Sequence, residues 1–386
     1  MLGRYMAGAV AARTGNEMAG PALLLLGLAV TGSASAGASL LAGLTVSAAV
    51  GGPLLGVFLD RVRRPGLVLA ASMGGYAAGL AIIVAGVGRL PHGVLVGVAV
   101  LAGLLGPALA GGWTAQLPLV AEPARLPRAN ALDAMTYNVA GLAGPAVVGA
   151  LASVAGAQVA ALSALALVLA AVGGAWSLPK RRPPDADEAA PASKGVLREL
   201  TAGFVAIARP GSLRRATVVS MISMGGVAML VVAAPLLGQR LTGQTGHGAL
   251  LLAVVAVAGL AANGVLARRT FDPDRVLLLS TLVIAAALGL AAVAQSMPVA
   301  ILAAVLAGVG EGPQLTALFA VRHREAPAHL RSQIFTTGAS LKITSFALGS
   351  AAAGPLVDRS VEAALLAGAG IMLLAALAYA LLSPRS

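Results

Sequence analysis

The sequence predicts an all-α integral membrane protein with twelve transmembrane helices in two six-helix halves. Of its 386 residues, 10% are charged and 58% are hydrophobic, and the mean hydropathy is +0.91. Soluble domains carry about 25% charged residues, so one water-soluble globule could not bury this much apolar surface. The other two observations are a series of long apolar segments and a one-sided distribution of Lys and Arg.

Twelve segments have the length and composition of membrane spans, for which about 20 mostly apolar residues suffice. The predicted spans are 7–31, 38–59, 67–87, 94–114, 133–153, 159–178, 214–236, 248–267, 276–295, 299–320, 334–356 and 363–382. The predicted domains are an N-terminal half at 1–178, a linker at 179–213 and a C-terminal half at 214–386.

The linker combines two kinds of sequence. Its first part, "PKRRPPDADEAAPAS", is typical of a flexible connection. Leu197, Leu200, Phe204 and Ile207 then recur at helical spacing, which predicts an amphipathic helix along the cytoplasmic membrane surface.

The basic residues predict the orientation. With the N-terminus inside, 22 of the 26 Lys and Arg lie on the cytoplasmic side, Lys342 lies within a span, and Arg89, Arg240 and Arg359 lie outside. This asymmetry follows the positive-inside rule and predicts that both termini are cytoplasmic. An Ala-rich chain with 23 Arg and 3 Lys indicates a GC-rich bacterial genome, so we expect a bacterial cytoplasmic membrane.

Several function classes find no support in the sequence. The chain has no Cys, and its four His, namely His92, His247, His323 and His329, fall in predicted loops. We therefore expect no metal, no cofactor and no enzymatic activity. The net charge of +12 follows from membrane topology rather than from nucleic-acid binding. "SASAG" (33–37) resembles a signal-cleavage site, but we expect a loop between two spans.

The two halves share weak sequence echoes. "GVFLDR" (56–61) corresponds to "GVLARR" (264–269), and "PRANALD" (127–133) corresponds to "LRSQIFT" (330–336). Each pair falls at the same place within its half. Six-span parallel repeats are a transporter architecture, which places a central cavity between the halves.

Two motifs resemble the major facilitator superfamily of secondary transporters. The loop after span two is similar to its G-x-L-x-D-R-x-G-R-R pattern through Gly56, Asp60, Arg61, Arg63 and Arg64. "GLAGPAVVGA" in span five resembles a motif of its exporters, which include siderophore, macrolide and drug exporters. The matching residues are Gly141, Gly144, Pro145 and Gly149.

The resemblance implies transport by alternating access, a gating role for the first loop and a helix-packing role for the second motif. The family's frequent arginine in span four is absent here, because 94–114 contains no charged residue.

Within "GVFLDRVRRP", membrane topology alone accounts for the three arginines. It does not account for Asp60, because acidic residues contribute little to orientation. A carboxylate at a helix end is better explained as part of a breakable ion pair or helix-end contact. The second half has Arg268 at the equivalent position, which predicts a single latch.

Ionisable residues inside spans are costly and suggest functional sites. Arg13, Asn16 and Glu17 lie in span one, where Arg13 and Glu17 share a helix face. They form either a structural ion pair or part of a substrate and proton site.

Spans ten and eleven carry a second group of candidates. Glu311 and Gln314 lie in span ten and Lys342 lies in span eleven, at similar predicted depths. Either a neutralised Glu311–Lys342 pair holds the two helices together, or Glu311 exchanges protons and releases Lys342.

Polar residues around span five complete the candidates. Asp133 is expected to cap the start of that helix, while Tyr137 and Asn138 lie deeper and are candidates for lining the cavity. Gln116 closes span four and is a further candidate.

These observations predict proton-coupled efflux of a small amphipathic or apolar molecule. The expected partners are that substrate, protons and the lipid bilayer, and we expect a monomer. Import of a metabolite with protons and a non-transporting scaffold or sensor remain alternatives.

Overall fold

The structure is a computed structural model that describes residues 1–181, 196–209, 211–243 and 246–383. These residues form α-helices joined by short loops and 3₁₀ turns. The helices are α1 (Leu2–Thr31), α2 (Ala34–Arg61), α3 (Pro65–Gly86), α4 (His92–Gly103), α5 (Gly111–Thr114), α6 (Leu126–Ala155), α7 (Ala157–Trp176), α8 (Val196–Ala208), α9 (Ser212–Thr242), α10 (Gly246–Leu266), α11 (Pro273–Ala292), α12 (Met297–Glu325), α13 (Arg331–Arg359) and α14 (Val361–Leu381).

Ten helical segments in the described part of the chain are long and apolar enough to cross a membrane. The predicted spans 7–31 and 334–356 lie in α1 and α13, which fall outside this set. Both helices carry polar and charged side chains, such as Glu17 in α1 and Lys342 in α13, and neither is among the ten segments that are apolar enough. The chain is a multi-pass helical membrane protein, and the count of twelve remains a prediction.

The predicted fourth span is not one continuous helix. Helix α4 ends at Gly103, a 3₁₀ turn follows at Gly106–Ala108, and α5 begins at Gly111. Pro107 lacks a backbone N–H and glycine weakens a helix, so this Gly/Pro-rich stretch cannot maintain the α-helical ladder.

Several helices extend beyond the predicted spans, and two predictions are therefore wrong. His92, His247 and His323 lie in helices rather than in loops. Asp133 does not cap a helix, because α6 begins seven residues earlier, at Leu126. It is fully buried. Polar residues at a helix end lower the hydropathy without preventing the helix from continuing.

The linker contains a helix at the predicted position, α8, and its location along the membrane surface stays a prediction. Most of the flexible part of the linker, 182–195, lies outside the described residues.

The chain forms two compact units. The first unit comprises 1–126, 139–206 and 326–340, and the second comprises 127–138, 207–325 and 341–386. Helix α13 thus begins in the first unit and continues in the second. The predicted division into 1–178 and 214–386 remains a prediction.

Small residues allow close helix packing inside each unit. In the second unit, Gly308 of α12 lies so close to α10 that a Cβ would overlap the carbonyl of Val255. Ile284, Leu288 and Met372 are fully buried in its apolar core. Such close approach favours helix association in lipid, where small residues let backbones meet.

Candidate functional site: a gate carboxylate and buried polar groups

The carboxylate of Asp60 binds the N-terminus of α13 within the first unit. Its Oδ1 accepts a hydrogen bond from the Ser332 N–H at 2.9 Å, and its Oδ2 accepts one from the Gln333 N–H at 2.8 Å. The first N–H groups of a helix have no partner within the helix and carry partial positive charge. Asp60 therefore satisfies two such donors, and its side chain is only 6% exposed.

The backbones of α2 and α13 meet beside this contact. A Cβ on Gly56 would overlap the Gln333 backbone and the Thr336 hydroxyl, and a Cβ on Gly52 would overlap α13 at Thr336 and Ser340. The Ser340 hydroxyl donates to the Ala48 carbonyl at 2.7 Å. Glycine at 56 is thus required for the approach that brings Asp60 to the helix end.

Arg181, at the start of the linker, joins the same cluster. It forms an ion pair with Asp60 at 3.4 Å and donates to the Ser332 hydroxyl at 2.9 Å. It also donates to Gln116 Oε1 at 3.2 Å. The Gln116 amide in turn donates to the Ser332 hydroxyl at 3.2 Å. We call Asp60, Gln116, Arg181, Ser332 and Gln333 the gate cluster.

The structure places Gln116 in the gate cluster rather than beside Tyr137. No pattern in the sequence pointed to Arg181, because its surroundings are typical of a flexible linker. Arg61, Arg63 and Arg64, in the predicted gating loop, are exposed, and their role in membrane topology stays a prediction.

The span-one candidates contact other elements of the first unit. Arg13 is buried and donates to the Thr114 hydroxyl at 2.8 Å. The Tyr76 hydroxyl donates to Asn16 Oδ1 at 3.3 Å. Glu17 follows Asn16 on α1 and is exposed.

The exporter-like motif contributes one close contact. A Cβ on Gly144 would lie 2.7 Å from the Cβ of Glu17, so α1 and α6 approach closely there. Pro145 is exposed. Among the described residues, no atom lies within 4 Å of a Cβ placed on Gly141 or Gly149.

A second polar group lies on α6, α12 and α13 in the second unit. Glu311 and Arg322 are eleven residues apart on α12, which is close to three full turns, so they share one face. Lys342 of α13 lies within electrostatic reach of both. Arg322 is 2% exposed, whereas Glu311 and Lys342 are half-buried. We call Glu311, Arg322 and Lys342 the charged triad.

Aromatic and amide side chains adjoin the triad. The ring of Tyr137 is 5.6 Å from that of Phe319, one turn before Arg322. Asn138 packs against α10, where a Cβ on Gly259 would overlap its amide. These residues can offer apolar surface and hydrogen-bonding groups to a ligand.

Two polar side chains of α12 hydrogen-bond to neighbouring helices in the second unit. Gln314 donates to the hydroxyls of Ser223 at 3.2 Å and Thr281 at 2.8 Å. Thr316 donates to Asn263 at 2.8 Å. The side-chain amide of Gln314 therefore connects α12 to α9 and α11.

Sequence reasoning also missed Asp274, the second residue of α11. Its carboxylate accepts hydrogen bonds from Arg215 of α9 and, at 2.6 Å, from Arg324 of α12. The Arg215 guanidinium lies 4.7 Å from the ring centroid of Tyr379 in α14. One carboxylate thus connects four helices of the second unit. Its position in the polar sequence "FDPDR", after a membrane span, was the available signal.

No group of three or more His, Asp or Glu side chains in the described part of the chain is arranged to hold a metal ion. The gate cluster and the charged triad are the two groups of candidate residues on which the proposals below rest.

Comparison with known proteins identifies the class to which this fold belongs. The model of the Major Facilitator Superfamily matches residues 5–341. The chain therefore belongs to the Major Facilitator Superfamily, and it has the fold of a secondary transporter.

One curated relative is an uncharacterized MFS-type transporter, y4rN, of Sinorhizobium fredii. It is 29% identical over 367 residues, which cover 90% of this chain and 85% of the relative.

Solved transporter structures share the fold at low sequence identity. The human organic anion transporter MFSD10 (TETRAN) has a TM-score of 0.80 at 16% identity, with 98% of each chain covered. The transporter FucP in its outward conformation has a TM-score of 0.76 at 14% identity, with 100% of this chain and 99% of that chain covered. An outward-facing bacterial homologue of the iron transporter ferroportin has a TM-score of 0.75 at 17% identity, with all of both chains covered.

Proposed function

We propose that this protein exports a small amphipathic molecule across a bacterial cytoplasmic membrane in exchange for protons. The two predicted six-helix halves, 1–178 and 214–386, move against each other in an alternating-access cycle. The protein works as a monomer with both termini in the cytoplasm.

The observation that carries this proposal is the contact between Asp60 and the N-terminus of α13. Asp60 belongs to the first predicted half, whereas α13 belongs to the second. The contact uses a carboxylate, two backbone N–H groups and one cation. All of these groups can be hydrated again when they separate, so the contact can form and break within a transport cycle.

Glu17 and Glu311 are the proposed proton carriers. Each lies on a membrane-associated helix, where an ionisable residue is costly and suggests a functional role. Glu17 is exposed and Glu311 is half-buried. A carboxylate with partial access to water can take up and release protons, whereas a sealed one cannot.

The charged triad supports an amphipathic substrate rather than a wholly apolar one. Two cations, Arg322 and Lys342, share the triad with one carboxylate, Glu311. Tyr137 and Phe319 add apolar surface beside it. This combination favours an anionic head group on an aromatic or aliphatic body.

Transport by purified protein in proteoliposomes tests the proposal. A matched probe series differs only in charge and consists of naphthalene-2-carboxylate, its neutral carboxamide and 2-naphthylmethylammonium. We expect a pH gradient to drive uphill movement of at least the carboxylate, and probe movement to carry protons the opposite way.

The direction of coupling separates the alternatives. Accumulation in inside-out membrane vesicles energised by proton pumping supports export, whereas accumulation in right-side-out vesicles supports import. A protein that moves none of the probes and no protons, yet is fully folded, would favour the scaffold or sensor alternative.

A further inference from the structure

We propose that Arg181 is a positioning residue for the gate carboxylate, so that the start of the linker between the two predicted halves takes part in the gate. This inference rests on the proposed function, in which the Asp60 contact opens and closes. It assigns a role to Arg181, at the start of a linker that would otherwise only connect the two predicted halves.

The guanidinium of Arg181 bridges three parts of the first unit. One nitrogen, Nη1, lies 3.4 Å from Asp60 Oδ1 and 3.3 Å from the Asp60 carbonyl. The other, Nη2, donates to Gln116 at 3.2 Å and to the Ser332 hydroxyl at 2.9 Å. The planar fork of arginine can make these contacts together, whereas the single ammonium of lysine cannot.

The backbone of Arg181 is fixed at the same place. Its N–H donates to the Arg63 carbonyl at 2.9 Å, in the loop that follows α2. The start of the linker is therefore attached to the gating loop by a main-chain bond as well as by the side chain.

Arg181 also supplies the charge that a buried carboxylate requires. Asp60 is nearly inaccessible to water, and a buried charge is destabilising unless it is paired and hydrogen-bonded. Span four, which contributes to this region, contains no charged residue between 94 and 114. The linker thus provides a cation that the neighbouring span does not.

The far end of the linker contacts the same helix end. The Gln333 side chain donates to the Leu200 carbonyl of α8 at 2.8 Å. A Cβ on Gly203 would lie 2.6 Å from Gln333 Cδ, so α8 packs directly on this side chain. Gln333 is also a residue whose backbone N–H binds Asp60. Both described ends of the linker therefore meet at the first turn of α13.

When α13 moves away from α2, Arg181 must break its contact with either Asp60 or Ser332. Helix α8 must either break its contact with Gln333 or move together with α13. Substituting Arg181 should therefore change the balance between the closed and open gate more than it changes folding. This behaviour separates a positioning role from a structural one.

The experiment compares Arg181→Gln and Arg181→Lys with Lys180→Gln, which removes an exposed neighbouring charge. We expect Arg181→Gln to lower kcat for naphthalene-2-carboxylate by about ten-fold or more, since it removes several charge-assisted hydrogen bonds. The KM of Arg181→Gln should change less than about two-fold. Arg181→Lys should retain part of the kcat that Arg181→Gln loses. Lys180→Gln should have the kcat and KM of the wild type.

A second readout requires no transport. Spin labels at Arg64→Cys and Ala328→Cys, both exposed positions in a chain without native Cys, report the gate distance. Arg181→Gln should add a longer-distance population that Lys180→Gln lacks. An unchanged distance distribution, or a kcat that falls only as far as the folded fraction falls, would overturn the inference. A wild-type protein that transports no probe counts against the proposed function, while the distance measurement still tests Arg181.

Discussion

Gly56 of α2 lies directly against the backbone of Gln333 in α13, with no space for a Cβ between them. This approach places Asp60, one turn further along α2, at the first N–H groups of α13. The gate cluster therefore depends on a backbone contact as well as on charge.

Replacing Gly56 with Ala should impair transport. The added methyl group meets backbone atoms that cannot move aside, so α2 and α13 cannot close fully. We expect uptake in proteoliposomes to fall by about ten-fold or more, because even a shift of about 1 Å can misplace groups that must meet. Gly74→Ala is the matched control, because a Cβ there meets no described atom within 4 Å. Equal transport by both variants would contradict the proposed role of Gly56.

Asp60→Asn should preserve expression and remove most transport. The amide can accept only one of the two backbone hydrogen bonds and loses the ion pair to Arg181, at a cost of about 1–3 kcal/mol to the closed gate. Asp358→Asn changes an exposed carboxylate on α13 and should behave as the wild type. Near-normal flux at an unchanged protein level would exclude Asp60 as the gate carboxylate.

Glu311→Gln should uncouple the transporter from protons. A neutral amide cannot carry a proton but keeps the size of the side chain, so exchange of labelled for unlabelled probe should continue while pH-driven accumulation is lost. Glu122→Gln is the control, since Glu122 is 73% exposed. If Glu311→Gln still accumulates the probe in response to a pH gradient, Glu311 is not the residue that couples transport to protons. Glu17→Gln tests the other proposed proton carrier in the same assay.

Lys342→Gln should weaken binding of the anionic probe more than binding of the neutral one. Removing one cation from the charged triad leaves Arg322 alone with Glu311, which reduces the attraction for a carboxylate. Arg275→Gln removes an exposed cation in the same unit and should have no such effect. If transport of the carboxylate probe and of the carboxamide probe falls by the same factor, Lys342 has a structural role.

Asp274→Asn should reduce stability without changing the mechanism. It disrupts a carboxylate that binds Arg215 and Arg324 and leaves the largely buried Arg215 poorly paired. We expect a lower thermal unfolding midpoint and a loss of about 1–3 kcal/mol, while kcat per folded molecule stays near the wild-type value. A changed kcat with an unchanged midpoint would place Asp274 in the transport cycle.

Much of the helical architecture could be predicted from hydropathy, because a span must satisfy its backbone hydrogen bonds internally and be apolar over about 20 residues. The helix ends were less predictable. Helix α12 continues through Arg322 and His323, since charged residues near the end of a helix reduce its hydropathy but do not interrupt its backbone. The break after α4 could have been read from Gly106 and Pro107.

The site was only partly predictable. Asp60 was evident because an acidic residue among arginines has no role in topology. Arg181 was not, because its partners come from α2, the end of the fourth span and α13, which are far apart in sequence. Long-range hydrogen bonds leave no periodic signal in one sequence. For the same reason, the partners of Asp274 could not be predicted.

The central claim is that the contact between Asp60 and α13 forms and breaks during transport. Double electron–electron resonance between spin labels at Arg64→Cys and Ala328→Cys tests it most directly, at several pH values and with naphthalene-2-carboxylate added. We predict two distance populations whose ratio responds to these conditions, and a shift toward the longer distance in Asp60→Asn. One invariant distance, identical in wild type and Asp60→Asn while the wild-type protein transports the probe, would contradict the account.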